Sequence, residues 1–352
     1  MNRRSLSIAL SVLLALAAAG SAQTTTTISF KVGTTTRSGV VHVPKGVAKP
    51  PVVFFVHGYG GSGSGFEGDT KGDAVADTAK FIAVYPSAIS GSWSMYDTAD
   101  YPFLLALLDT VDARYKIDRN RVYCTGFSQG GFISFGVGYK HPEIFAAVAP
   151  VSGHIPSFST SAPLKRPVPL FLTFGTNDVS DVASFMTDVN TWFKLDTCVA
   201  GSKKEVRPYP STHSSSVVAR ITYSCAQGSE LMIDSVVGGP HEWAMDTVKK
   251  VNTTVEVWNF LKRFSLNGTT SVADRTSSDS PEPLRATFRA GRIHLQGIDE
   301  GGTARVTDIE GRLVATAPVV DRSFAFENRP GGVYFVVGVG DGVARTFKVT
   351  VP

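Results

Sequence analysis

The stretch RVYCTGFSQGGF, residues 121–132, places a serine between glycines directly after a run of strand-forming residues. Residues 121–125 are predicted to form a short buried strand, and the residues after the glycines are predicted to form a helix. Ser128 would then lie on a sharp strand-to-helix turn, where glycines at positions 126 and 130 leave room for crowded backbone. An ordinary glycine-rich turn is the alternative, and the motif alone does not decide between them.

The surrounding sequence predicts an α/β fold. After an alternating strand pair near the N-terminus, apolar runs typical of strands buried on both faces alternate with helical patterns. The predicted buried strands are PVVFFVHG, FIAVYP, IFAAVAPVSG, VPLFLTFGTND and LMIDSVVGGPHEW, and the clearest helices are TADYPFLLALLDTVDARY and VNTTVEVWNFLKRF. Strands that alternate with helices indicate a doubly wound, mostly parallel sheet.

Three polar residues follow strands of this predicted sheet. Ser128 follows the strand at 121–125, Asp178 follows PLFLTFG, and His241 follows LMIDSVV. Because functional groups of open parallel sheets gather at the carboxyl ends of the strands, these side chains are expected to meet. A serine hydroxyl needs a base and an acid that orients the base. The chain order Ser, Asp, His is that of the α/β-hydrolase arrangement.

Other residues compete for these roles. Asp181 comes three residues after Asp178 and is the alternative acid. We favour Asp178 because it stands closer to the end of the strand. Four histidines lack a strand-end context (His42, His154, His213 and His294), and His141 precedes a proline that stops a helix. His57 ends a strand in FFVHGYGGSGSG, and we expect it only to brace that turn. The backbone N–H groups of Tyr59 and Gln129 are the predicted oxyanion donors.

Composition limits the classes of function. The 352 residues carry a formal charge of +4 and no dense basic stripe, which argues against a nucleic-acid partner. Two arginines, an apolar run and small residues make residues 1–22 a predicted signal peptide, so we expect a secreted or cell-surface protein. No stretch favours a stable membrane span. In an exported chain Cys198 and Cys225 should pair, which would stabilise the fold by about 3 kcal/mol; a metal site is the weaker alternative.

Four motifs resemble, in order, those of the secreted esterases grouped with acetylxylan and feruloyl esterases and polyhydroxybutyrate depolymerases. The motifs are FVHGYGGSGSGF, YKIDRNRVYCTGFSQGGF, FGTNDVSD and VVGGPHEW. The resemblance covers about residues 25–265, and we predict a hydrolase domain over residues 23–266. It implies an α/β-hydrolase fold and ester hydrolysis without a cofactor or metal. It implies Ser128 as nucleophile, His241 as general base and Asp178 as its orienting acid, and the pairing of Cys198 with Cys225 matches a bridge common in the family.

The sequence changes character after the hydrolase region. Residues 267–284 are rich in Ser, Thr, Pro and Asp and are predicted to be a linker. Residues 285–352 show short alternating strands, which predict a small all-β sandwich. The segments VTDIEGRLVAT, RPGGVYFVVG and TFKVTV resemble those of the C-terminal sorting domain of type IX secretion. The resemblance implies that this module binds the secretion machinery. A carbohydrate-binding module is the alternative.

The expected substrate is a polysaccharide-linked or polymeric ester, with feruloyl or acetyl esters of xylan first and polyhydroxybutyrate second. Tyr59 stands where some depolymerases carry cysteine, which favours the carbohydrate esterases. Trp93 and Trp243 are predicted to line the acyl or sugar pocket. A non-catalytic surface or carbohydrate-binding protein on a hydrolase scaffold is the alternative from another class.

Overall fold

The computed structural model describes residues 23–95, 98–156, 163–246, 251–269, 285–289, 291–296, 303–308, 312–320, 323–327, 330–340 and 343–351. The predicted signal peptide and all but the first three residues of the predicted linker lie outside these ranges. The chain divides into two compact units after Val272. Among the described residues no helix combines the length and apolar character needed to cross a bilayer.

A ten-stranded sheet forms the frame of the first unit, with the spatial order β1-β2-β4-β3-β5-β6-β7-β10-β9-β8. Its strands are β1 (Thr24–Val32), β2 (Thr35–Val43), β3 (Val52–Val56), β4 (Ile82–Pro86), β5 (Val122–Phe127), β6 (Ala147–Val151), β7 (Leu170–Gly175), β8 (Lys204–Val206), β9 (Val218–Ser224) and β10 (Glu230–Val236). The central strands from β4 to β10 run parallel, whereas β1, β2, β8 and β9 are antiparallel additions at the two edges. The predicted mostly parallel sheet is confirmed.

Helices cover both faces of this sheet. They are α1 (Gly63–Thr70), α2 (Gly72–Ala79), α3 (Tyr101–Tyr115), α4 (Gln129–Lys140), α5 (Val182–Leu195) and α6 (Thr253–Leu261), with short 3₁₀ turns at Ile89–Gly91, Ala200–Ser202 and Ala226–Gly228. Residues of β3 alternate between two cores: Phe54 packs with α3, α4 and α5, and Phe55 packs with α1, α2 and α6. This alternation explains the continuous apolar runs, because both faces of each central strand are buried.

A disulfide fastens the edge of the sheet. Cys198, which follows α5, is bonded to Cys225, which follows β9, across a sequence separation of 27 residues. The predicted pairing is confirmed. The two sulfurs bond each other, so neither is a free thiolate that could bind a metal. Cys124, on β5, is a free and buried thiol.

The regular elements at the end of the first unit and in the described residues of the second unit are strands. A small hairpin pairs β11 (Phe264–Ser265) with β12 (Gly268–Thr269). The second unit contains β13 (Arg285–Arg289), β14 (Arg292–Gln296), β15 (Thr303–Thr307), β16 (Leu313–Pro318), β17 (Ser323–Ala325), β18 (Gly332–Gly340) and β19 (Val343–Val351).

Two antiparallel sheets build the second unit, in the orders β13-β14-β17 and β16-β15-β18-β19. Ile293 from the first sheet and Val306 and Val336 from the second share one buried core. The predicted all-β sandwich is confirmed. Tyr334 is also buried in this core, and its hydroxyl donates a hydrogen bond to the Pro330 carbonyl at 2.7 Å.

Candidate active site

Ser128 occupies the tight turn between β5 and α4 with a backbone conformation that residues other than glycine rarely adopt. Its φ is 55° and its ψ is −119°. Such a conformation costs on the order of 1–3 kcal/mol and persists only where the surrounding structure enforces it. The turn carries the serine to the carboxyl end of the parallel strands, as a nucleophile elbow does.

The glycines at positions 126 and 130 make this turn possible. A Cβ atom on Gly130 would lie 1.9 Å from the carbonyl oxygen of Val56, and one on Gly126 would lie 2.4 Å from the carbonyl oxygen of Gly130. These contacts are with backbone, which cannot swing aside as a side chain can. The close approach of β5, α4 and β3 therefore requires glycine at both positions.

Asp178 and His241 form a direct pair. Asp178 Oδ1 accepts a hydrogen bond from His241 Nδ1 at 2.7 Å, and the carboxylate is fully buried. The same carboxylate accepts two more hydrogen bonds, from the backbone N–H of Val179 and from the hydroxyl of Ser152, both at 2.6 Å. Three donors thus compensate for the burial of this charge and hold its orientation. With Nδ1–H donated to Asp178, Nε2 of His241 is the nitrogen left to accept a proton.

His241 lies beside the serine turn. Its ring packs on the ring of Phe127, the residue before Ser128, with centroids 4.6 Å apart. About a quarter of the His241 side chain is exposed. Within the described residues no hydrogen bond joins Ser128 Oγ to His241; such contacts are often loose without substrate and tighten in the reacting complex. The structure brings Asp178 and His241 into contact and sets the serine turn next to them.

The turn after β3 also lies beside the serine. A Cβ atom on Gly58 would lie 3.3 Å from Ser128 Cβ, so this backbone passes directly beside the serine side chain. Within the described part of the chain, the backbone N–H groups of Tyr59 and Gln129 donate to no protein acceptor. Gln129 directly follows Ser128 in the chain, and Tyr59 directly follows Gly58, so both stay candidates for the oxyanion donors. The Tyr59 side chain is exposed to solvent.

His57 is locked inside this turn. Nδ1 contacts the carbonyl oxygen of Gly58 at 2.6 Å, and Nε2 accepts the backbone N–H of Ala88 at 3.1 Å. Nε2 can accept only from a neutral ring, so Nδ1 carries the proton. Burial lowers the pKa of His57, which outweighs the opposing effects of the Gly58 hydrogen bond and the charge of Asp100. This is the bracing role expected from the sequence.

The two tryptophans lie in packed positions. Trp93 is 3% exposed, so its ring has no free face for a substrate in this conformation, and the structure speaks against its predicted role in the pocket. Trp243 is half-buried; its ring packs on Phe66 and its indole N–H donates to Thr254 Oγ1 at 3.0 Å. That contact anchors the loop that carries His241. The sequence places Trp243 beside His241, but proximity along the chain does not determine where a ring points.

His154 contacts the loop that carries Asp178, although the sequence predicts no role for it. It stands three residues after the end of β6, so the expectation that it lacks a strand-end context is wrong. Its Nδ1 contacts Asp188 at 2.5 Å, its Nε2 contacts Ser180 Oγ at 2.8 Å, and its ring stacks on Phe185. It therefore ties the loop after β6 to the loop that carries Asp178. The run IFAAVAPVSGH could have revealed it, had the end of the strand been placed at Val151.

Comparison with known proteins agrees with this architecture. Residues 51–204 match the family described as alpha/beta hydrolase fold. A bifunctional acetylxylan esterase/xylanase of Neocallimastix patriciarum is 25% identical over 66% of this chain and 34% of its own length. Feruloyl esterase D of Neurospora crassa is 30% identical over 54% of this chain and 64% of its own length. The chain thus spans less than two thirds of each of these curated relatives.

A solved structure supports the fold independently. The acetyl xylan esterase from Aspergillus awamori superimposes with a TM-score of 0.50 at 17% identity, covering 61% of this chain and 94% of that chain. At this identity the likeness bears on the fold alone. The sheet order, the helices on both faces and the match over residues 51–204 together show that the chain has the alpha/beta hydrolase fold.

Proposed function

We propose that the protein is a serine esterase that hydrolyses acyl esters carried by plant cell-wall polysaccharide. The observation that carries the proposal is the buried Asp178 carboxylate bonded to His241 beside the strained turn of Ser128. A carboxylate buried with three donors is a costly arrangement, and orienting an imidazole next to a serine is the task that this arrangement suits.

The proposed reaction is a two-step acyl transfer. His241 Nε2 takes the proton of Ser128 as Oγ attacks the ester carbonyl, and Asp178 stabilises the imidazolium that forms. The negative charge on the carbonyl oxygen is met by the N–H groups of Tyr59 and Gln129. His241 then protonates the departing alcohol. Water, activated by the same imidazole, attacks the acyl-enzyme and releases the acid.

The relatives support the choice of substrate class. One carries the name acetylxylan esterase/xylanase and another the name feruloyl esterase. From these names we propose that the substrate is a xylan bearing acetyl or feruloyl esters. The acyl transfer itself needs only an accessible ester carbonyl and a leaving alcohol. The chemistry of the site requires no cofactor.

A side-by-side assay tests the substrate assignment. We expect the protein to release acetate from acetylated xylan, or ferulate from methyl ferulate, faster than it degrades a short-chain polyhydroxybutyrate, with the Ser128→Ala protein as the blank in each assay. Preferential release of hydroxybutyrate would replace the proposal by a polyester depolymerase. If the protein hydrolyses none of these three substrates and no simple aryl acetate, the esterase proposal itself is contradicted.

We propose further that residues 285–352 direct export through the type IX machinery, which with the N-terminal signal would deliver the enzyme outside the cell. Burial of Tyr334 supports this over carbohydrate binding, because a sugar-binding face needs exposed aromatic rings. In a bacterium with type IX secretion, we expect the full chain in the medium or on the cell surface. A chain ending at residue 284 should remain in the periplasm, and its equal appearance outside would refute the assignment.

A further inference from the structure

We infer that Trp93 is a positioning residue that fastens together the two backbone segments carrying the oxyanion donors. The inference deepens the proposed esterase function and rests on it. It also gives the buried ring of Trp93 a role that contact with substrate does not explain.

Trp93 bonds to both segments at once. Its indole Nε1–H donates to the backbone carbonyl of His57 at 2.9 Å, and its backbone N–H donates to the side-chain Oε1 of Gln129 at 3.0 Å. Its ring also packs on the His57 ring, with centroids 5.0 Å apart. The hydrogen bond to the His57 carbonyl is buried, so water does not compete freely for it, and the bond to Gln129 is partly buried.

These two anchors lie next to the proposed oxyanion donors. The His57 carbonyl begins the turn that presents the N–H of Tyr59, and Gln129 itself presents the other N–H at the start of α4. A second hydrogen bond joins the turn after β3 to the loop that carries Trp93, because Gly60 N–H donates to the Gly91 carbonyl at 2.8 Å. Trp93 thus bridges the turn after β3 and the helix after β5, and the spacing between the two donors depends on that bridge.

A buried ion pair holds the loop that carries Trp93. Asp100 Oδ1 accepts from Arg37 at 2.7 Å, and its Oδ2 accepts from the backbone N–H of Ser94 at 2.7 Å. Both charged side chains are nearly buried, and the Arg37 guanidinium lies 4.1 Å from the centre of the Phe103 ring. This pair fixes the residue next to Trp93 to the protein interior, so the indole is held by its own loop as well as by its acceptors.

The expected effect follows from the role of oxyanion donors. Removing one donor typically lowers kcat by about 10²–10³-fold, and a misplacement of roughly 1 Å can cost about 10²-fold. Loss of the Trp93 bridge leaves both donors present but less well placed. We therefore expect a loss of roughly 10–100-fold in kcat, with KM for an aryl acetate changed by less than about 3-fold.

The Trp93→Phe protein tests the inference, because phenylalanine keeps an aromatic ring and removes the indole donor. Trp192→Phe is the matched control: Trp192 is also fully buried and donates its indole N–H to a backbone carbonyl, that of Val168 at 3.0 Å, in the core between α5 and the sheet. Thermal unfolding measures the stability cost of each change. We expect both to lower the unfolding midpoint and only Trp93→Phe to lower kcat.

Affinity for phenylboronic acid gives a readout that a purely structural role would not move. Boron bonds to the serine oxygen and forms a tetrahedral adduct that imitates the charged intermediate. We expect its inhibition constant to rise in Trp93→Phe by about the same factor as kcat falls, and to stay unchanged in Trp192→Phe. Gln129→Met, which removes the other acceptor and keeps the backbone N–H, should reproduce the kcat loss if Trp93→Phe does not fold.

The outcomes separate the two proposals. If the unsubstituted protein hydrolyses aryl acetate while both Trp93→Phe and Gln129→Met keep its kcat and its boronate affinity, the positioning role is refuted and the esterase proposal stands. If kcat falls in Trp192→Phe as much as in Trp93→Phe, the effect is a general loss of packing, and the inference again fails. If the unsubstituted protein hydrolyses no ester, both proposals fail together.

Discussion

The Ser128→Ala protein is expected to lose turnover of a simple aryl acetate by about five to six orders of magnitude, because removal of a serine nucleophile leaves only the oxyanion site and binding. The fold should be retained. Ser128 Oγ makes no hydrogen bond among the described residues, and alanine has the same Cβ as serine at the strained backbone position. Initial rates, together with circular dichroism and thermal unfolding of both proteins, check this expectation.

A fluorophosphonate probe gives a second readout of the same substitution. The probe labels only a serine whose hydroxyl has been activated, so it should label the unsubstituted chain and not Ser128→Ala. Turnover that survives in the alanine protein would remove Ser128 from the mechanism. A folded, unsubstituted protein that neither turns over esters nor takes up the probe would instead favour a non-catalytic surface protein on a hydrolase scaffold.

Asp178→Asn is expected to lower kcat by about 10⁴-fold, as loss of the orienting carboxylate does in serine hydrolases. Asparagine can donate an N–H to Nδ1 of His241. The imidazole proton would then sit on Nε2, which must be free to accept the proton of Ser128. The amide also has one oxygen where the carboxylate has two, and Ser152 and Val179 compete for it. The rate should be measured with saturating aryl acetate.

Asp181→Asn supplies the matched control for that experiment. Asp181 caps α5, its Oδ1 accepting the backbone N–H of Ser184 at 2.7 Å, and asparagine caps helices equally well. We expect its kcat to stay within about 2-fold of the unsubstituted value. If the large loss appeared in Asp181→Asn and not in Asp178→Asn, the assignment of the acid would be reversed.

The sequence predicted the features that depend on local pattern. Unbroken apolar runs such as that around Phe54 and Phe55 predict strands buried on both faces, and the structure places those two residues in opposite cores. Strand ends then predicted which polar residues would meet, and Asp178 with His241 do meet although 63 residues separate them. Periodicity and topology suffice here because parallel strands all end at one edge of the sheet.

Features that depend on side-chain direction could not be predicted in this way. The sequence predicts that Trp93 lines the pocket, yet its ring is buried and its indole N–H donates to the carbonyl of His57. The link between His154 and Ser180 joins two loops whose paths no periodic pattern describes. The antiparallel edge strand β8 is three residues long and all three are exposed, so it carries no apolar pattern.

The two glycines of the serine turn have a consequence for laboratory evolution of the proposed esterase. Their obstacles are carbonyl oxygens of Val56 and Gly130, so no compensating mutation of a neighbouring side chain can open the space. Libraries that randomise positions 126 and 130 should return almost only inactive clones, and any survivors should retain glycine.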